Sequence, residues 1–246
     1  MSTAQSTPSA AETLPTALVT GGSRGIGRAI AQTLARDGFQ VFLTYVSRPE
    51  EAEQAVAEIT AAGGRARAFA LNVGDSEAVA DMTEAMLEAG LPLEMAVQLV
   101  NSAVASEGRE ENMPTLDLCS VDLCEGSCRF MKTGAAVSFI KRGSIVEKID
   151  GGTFPLGAFG YAQAKPAECQ LMDGDYIIML SDGMTEGWPD GDGESKLESM
   201  IGRIGAVSPG ELANSIMKYA IEQCQGRIRD DMTVLTAGIW ERTRED

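Results

Sequence analysis

Residues 16–39 read TALVTGGSRGIGRAIAQTLARDGF, and this stretch decides the fold of the first part of the chain. A short apolar segment has the character of a buried strand, glycines crowd the turn that follows, and Ile26, Ile30 and Leu34 then recur at helical spacing until Gly38 ends the helix. Gly21, Gly25 and Gly27 stand where a backbone must turn sharply and approach a pyrophosphate closely. The free N–H groups and dipole of the following helix would stabilise that anion. Further along come a second strand, QVFLTYV at 40–46, a helix over 49–62 and a third strand, ARAFALNV at 66–73. The order is strand, helix, strand, helix, strand, as in one half of a dinucleotide-binding sheet.

Working outward, residues 1–15 are small and polar with two prolines, no basic segment and no apolar core, and they predict a disordered lead-in. Composition then changes near residue 75. Residues 1–75 hold six arginines, no lysine and fifteen alanines, at a balance of −1. Residues 76–246 carry −15 and hold every lysine, every cysteine and eleven of the twelve methionines. The whole chain of 246 residues has a net charge of −16, which repels phosphate backbones and anionic lipid, so neither nucleic acid nor a membrane surface is an expected partner. The absence of histidine excludes a Ser/His/Asp triad, a Cys/His pair and a His-ligated zinc. Five cysteines, an odd number, argue against a disulfide framework and fit a cytoplasmic protein; Cys119, Cys124 and Cys128 fall in two strand-like segments around a Glu125-Gly126 turn.

The segment TGGSRGIG at 20–27, with the elements around it, resembles the cofactor loop of short-chain dehydrogenase/reductases, most closely the 3-oxoacyl-carrier-protein reductase type, over about residues 16–75. The resemblance implies a dinucleotide held by Gly21, Ser23, Arg24, Gly25, Ile26 and Gly27, with Asn72 and Val73 against the adenine ring. About 20 residues past the loop stand Ser47 and Arg48 rather than an acid for the ribose hydroxyls, and this favours NADP over NAD. The family also needs a YxxxK pair. Tyr161 and Lys165 spell it, but Pro166 would break the required helix and Lys148 stands where a serine is expected thirteen residues earlier, so the pair reads as a chance match. LVNSAV at 99–104 echoes the family's NNAG turn, yet it sits in a segment with helical spacing that begins at Pro92.

From residue 76 the pattern changes to two helices, 77–89 and 92–105, and then an expected antiparallel meander of TLDLCSVDL, CRFMKTG, AVSFIKRG and SIVEKI. The apolar run Tyr176–Leu180 ends abruptly at Ser181, Asp182 and Gly183, and Asp230 and Asp231 directly precede a second run, MTVLTAGIW. If the two strands are neighbours their acids converge, and clustered carboxylates repel unless a hard cation such as Mg2+ or Mn2+ lies between them. TLDL at 115–118, KTGAAVSFIKRG at 132–143, PLG at 155–157, GDYIIMLSDG at 174–183 and RDDMTVL at 229–235 together resemble the SpoIIE-like branch of the PPM metal-dependent serine/threonine phosphatases. That resemblance implies Asp182, beside Gly183, and Asp230 as metal ligands with Asp231 adjacent, and a phosphoserine protein as partner.

The PPM family also bridges its two ions with an aspartate of a DG motif on an early strand; no such segment precedes residue 77, and Asp75 follows its glycine. The expected fold is therefore α/β: a partial Rossmann-like βαβαβ unit over 16–75 joined to an incomplete PPM-like α+β sandwich over 76–246, a chimera with neither active site complete. Weak NADP and Mg or Mn binding are expected to survive. A residual phosphatase and an NADP-dependent reductase are the alternatives. A three-stranded parallel sheet with unpaired edges would invite self-association.

Overall fold

The protein is described from a computed structural model, which covers residues 14–71, 76–88, 91–106, 114–150, 154–162, 164, 166–186, 188, 191–225, 228 and 230–241. It divides into two compact units, 1–112 and 113–246.

In the first unit, β1 (Thr16–Val19), β2 (Gln40–Tyr45) and β3 (Arg65–Ala70) form a parallel sheet in the order β1-β2-β3. α1 (Gly25–Arg36) and α2 (Pro49–Ala61) connect them. Alternation along the strands sends Val41 and Leu43 to one face. There they pack with Ala31 and Ala35 of α1 and with Ala52, Ala55 and Ile59 of α2. The alanines let both helices approach the sheet closely, and the Arg28 guanidinium ties α1 to Glu58 of α2 at 2.5 Å. On the other face, buried Phe42 stacks on Phe69 at 5.7 Å between ring centroids, and Arg67 lies over Phe69.

Arg67 also reaches α3 (Ser76–Glu88), its Nη1 donating to the Ala85 carbonyl at 3.2 Å, and α3 packs on α4 (Leu93–Ser106). The two helices follow the sequence periodicity closely, and LVNSAV is helical throughout. Compactness thus divides the chain some 40 residues beyond the step in composition. α3 and α4, packed on each other, fall in the first unit; Met82, Met86, Val97 and Val100 are among the least exposed side chains.

The second unit is a three-layer stack. A four-stranded antiparallel sheet has the order β10-β9-β6-β7, from β6 (Ser138–Arg142), β7 (Ile145–Ile149), β9 (Tyr176–Leu180) and β10 (Val234–Gly238). A three-stranded sheet has the order β4-β5-β8, from β4 (Leu116–Asp122), β5 (Ser127–Thr133) and β8 (Ala167–Gln170). The expected meander is therefore two hairpins, β4–β5 and β6–β7, placed in different sheets. The break between them falls at Gly134, whose φ of +60° and tight approach to Pro155 suit only glycine.

Strand alternation explains the layering. Phe139, Tyr176, Ile178 and Leu180 point to α5 (Gly193–Arg203) and α6 (Pro209–Gln223), meeting Leu197, Ile201, Leu212 and Ile216. Ile140 and Ile177 point the other way, to Cys128 and Phe130 of the facing sheet. α6 starts with a complete capping box between Ser208 and Glu211.

Candidate functional site

The glycine loop closes the C-terminal end of the parallel sheet. Gly21 and Gly25 take φ of +65° and +56°, a region open to few side chains. Gly22 lies so close to β2 that a Cβ there would meet the Leu43 Cβ at 2.6 Å, and a Cβ on Gly27 would collide with the Gly21 carbonyl oxygen. The loop is anchored by the Gly22 N–H on the Thr44 carbonyl at 3.0 Å. Arg24 is the N-cap of α1 in extended conformation, and its side chain makes no cap hydrogen bond to the start of that helix. Ser23 is buried, whereas Arg24, Gly25 and Ile26 are exposed, Ile26 at 82 %.

Arg48 sits at the same sheet end, in left-handed conformation as the N-cap of α2, and its Nη1 donates to Glu51 Oε1 at 2.8 Å. That bond pulls the Glu51 carboxyl below its ordinary pKa against partial burial, with the charges of Arg24 and Arg28 adding to the effect. Three arginines thus gather beside the loop. Arg48 is committed to an acid in this state, and a phosphate on the ribose would have to compete with Glu51 for it. Asn72 and Val73 lie outside the described residues. Tyr161 is 62 % exposed in an irregular segment, and Lys165 also lies outside the described residues.

At the sandwich end, β9 and β10 pair antiparallel with Val234 opposite Leu180, so the acids that follow one and precede the other are brought together. Ser181 laces the two segments: its Oγ donates to the Asp231 carbonyl at 3.0 Å and accepts from the Thr233 N–H at 2.8 Å, and its N–H reaches the Thr233 carbonyl at 3.0 Å. Gly183 is required here, because a Cβ would run into the Asp231 carbonyl oxygen. Asp182 Oδ1 accepts from the Gly183 N–H at 2.9 Å and Asp230 Oδ1 from the Asp231 N–H at 2.8 Å. In each acid the second oxygen has no hydrogen bond to the described residues, and all three acids are exposed. These are hard oxygen donors of the type that suits Mg2+ or Mn2+. Among the described residues, however, no group of three or more Cys, Asp or Glu is placed to hold an ion. The donor set fits a divalent cation only in part.

Beneath this end lies a buried polar trio that no motif in the sequence assigned. Lys132 of β5 pairs with Asp117 of β4. Its Nζ also donates to Ser138 Oγ of β6 at 2.8 Å, and Ser138 Oγ donates to Asp117 Oδ2 at 2.8 Å. The trio joins the two sheets, since Asp117 and Lys132 belong to one and Ser138 to the other. Burial pulls the Lys132 ammonium below its ordinary pKa even with Asp117 beside it. The available signal was a lone charge in each of two strand-like segments, TLDL and KTG. Cys119 and Cys128 lie in β4 and β5 on either side of the hairpin turn; Cys124 is exposed in that turn, while Cys128 meets Cys169 of β8 at 3.0 Å between sulfurs, with Cys119 alongside.

The family model for stage II sporulation protein E (SpoIIE) matches residues 75–240, and that for short chain dehydrogenases matches residues 15–126. Stage II sporulation protein E of Bacillus subtilis is 32% identical over 170 residues, which cover 69% of this chain and 21% of that protein. The 3-oxoacyl-[acyl-carrier-protein] reductase FabG of Staphylococcus aureus is 42% identical over 87 residues, 35% of this chain and 34% of that enzyme. The chain therefore spans about a fifth and a third, respectively, of these two relatives. The Mn-presoaked structure of the Bacillus subtilis SpoIIE phosphatase domain superposes with a TM-score of 0.54 at 31% identity, over 68% of this chain and 76% of that one. The parallel sheet and glycine loop of one unit and the paired sheets and converging acids of the other thus have separate kin. The chain belongs to the SpoIIE family through residues 75–240, while its N-terminal part is matched by the short chain dehydrogenase model over residues 15–126, a division consistent with a chimera.

Proposed function

We propose that the chain is a fusion with little or no catalytic turnover, which keeps weak affinity for NADP at the loop from Gly21 to Gly27 and for Mg2+ or Mn2+ at Asp182 and Asp230. The observation carrying this reading is that, among the described residues, Asp182 and Asp230–Asp231 are brought together by β9 and β10 without a group of three or more Cys, Asp or Glu placed to hold an ion. Loss of a partner outside the ligand shell typically lowers metal affinity or activity about 10- to 100-fold, and loss of a bridging ligand costs more. For NADP the support is the uncapped start of α1 and the three arginines around the loop. The test is a pair of thermal melts, with NADPH and with Mn2+. A ligand that binds only the folded state at 100 times its Kd adds about 2.7 kcal/mol to stability. A shift with each ligand and no turnover of p-nitrophenyl phosphate or NADPH is the expected result.

The second reading is a residual metal-dependent phosphatase acting on a phosphoserine protein. The pairing of β9 with β10 favours it, because that register alone sets Asp182 against Asp230–Asp231. A bound cation would supply an acidified water and charge neutralisation there. Mn2+-dependent hydrolysis of p-nitrophenyl phosphate, lost in Asp182→Asn, would establish this reading and refute the first. An NADP-dependent reductase built on Tyr161 and Lys165 requires NADPH oxidation that vanishes in Tyr161→Phe. Tyr161, exposed outside any helix, gives that reading no support. No helix of the described residues is long and apolar enough to cross a membrane, and a cytoplasmic location is part of the proposal.

A further inference from the structure

A cavity of about 260 Å³ lies in the second unit at the end of the four-stranded sheet opposite Asp182. Its walls include Lys141, Tyr176, Arg203 and the glycines Gly143, Gly174 and Gly205. Lys141 pairs with Tyr176, the first residue of β9, and Asp182 lies beyond the last residue of that strand, about 20 Å away at ~3.3 Å per residue. The cavity is therefore separate from the acids at Asp182 and Asp230.

Lys141 is only 2 % exposed. Its Nζ donates to the Gly143 carbonyl oxygen, and no carboxylate acts on it, so burial alone lowers its pKa. Asp175, which precedes Tyr176 in the chain, is held elsewhere: Arg142 grips its two oxygens at 2.9 and 2.6 Å and the Met172 N–H donates to it at 2.8 Å. Among the described residues no acid stands in the walls, while Arg203, at the last turn of α5, contributes a second positive charge. A Cβ at Gly143, Gly174 or Gly205 would meet nothing within 4 Å, so the space beside these glycines is open. The carbonyl end of α5 opposes an anion, but with roughly half an elementary charge against two full ones it does not reverse the sign of the site. The volume holds about nine waters at ~30 Å³ each, ample for a tetrahedral oxyanion and part of its hydration. A buried ammonium with a single carbonyl partner costs free energy, and an anion beside it would recover that cost.

We propose that this cavity binds a phosphate-class oxyanion between Lys141 and Arg203. The test is isothermal titration calorimetry of the full chain in chloride buffer with EDTA, using inorganic phosphate in one arm and free phosphoserine in the other. The expected result is one saturable site for phosphate that Lys141→Met abolishes and Arg203→Gln weakens about tenfold or more, the effect of one lost charge-assisted hydrogen bond. Binding of phosphoserine at the same site would identify a phosphomonoester as its ligand, and binding of phosphate alone the free ion. Arg203 is exposed at a helix end, so its variant keeps the fold even if Lys141→Met does not. Absence of saturable heat, heat unchanged in Arg203→Gln, or heat lost only in Arg24→Gln at the glycine loop would each overturn the proposal.

Discussion

Replacing Lys132 with methionine removes one partner of a buried pair and leaves the other in place, which is the costly way to break such a contact. Asp117 would keep one hydroxyl, from Ser138, on Oδ2, and its Oδ1 is buried with no hydrogen-bond partner. An uncompensated buried charge of this kind costs about 3–5 kcal/mol. With a urea m-value of about 2 kcal/mol per M for a domain of this size, the midpoint should fall by ~2 M. Both tryptophans, Trp188 and Trp240, belong to the second unit, so intrinsic fluorescence follows that unit without interference from the first. Because burial lowers the Lys132 pKa despite the ion pair, pairing does not fully offset desolvation. The double variant Asp117→Leu with Lys132→Met should therefore recover at least half of the loss. A single variant within ~0.5 M of the parent, or a double variant no better than the single, would refute the reasoning.

Gly22→Ala places a Cβ against Leu43 and should destabilise the first unit by about 1–3 kcal/mol while leaving the tryptophan transition where it was, as seen by circular dichroism and fluorescence on one sample. Burial pushes the thiols of Cys119 and Cys169 up to about 12, whereas Cys124 is exposed. In alkylation at pH 8 followed by mass spectrometry, Cys124 should be modified first. Raised folded-state values also mean that the two half-buried thiols support the fold below pH 9 and withdraw that support as pH rises from 9 towards 12. Second-unit stability should decline over that window, and the decline should lessen in Cys119→Ala.

The two families meet in a physically lopsided way. Residues 75–106 match the SpoIIE model, yet α3 and α4 pack in the same compact unit as the parallel sheet. The sheet's second face, which the isolated βαβαβ unit would have left bare, carries Arg67 and its contact to α3. The three sheets remain separate, with β1 and β3 as the edges of the parallel one among the described residues. Strand edges of this kind are the surfaces through which self-association would occur.

Much of this was legible without coordinates, because it is written in short-range physics. The period of Ile26, Ile30 and Leu34, the glycines at 21, 25 and 27, and the apolar run that stops at Asp182 each constrain a few neighbouring backbone dihedrals. Those constraints act whatever the rest of the chain does. Tertiary structure alone decided that β5 and β6, consecutive in the chain, part into different sheets, and that Cys128 meets Cys169 rather than Cys124. It alone joined Asp117 to Ser138 across the sandwich and left Lys141 facing a cavity without an acid. Ladder pairing and the satisfaction of buried charge depend on partners tens of residues away, and neither leaves a period in the sequence from which it can be read.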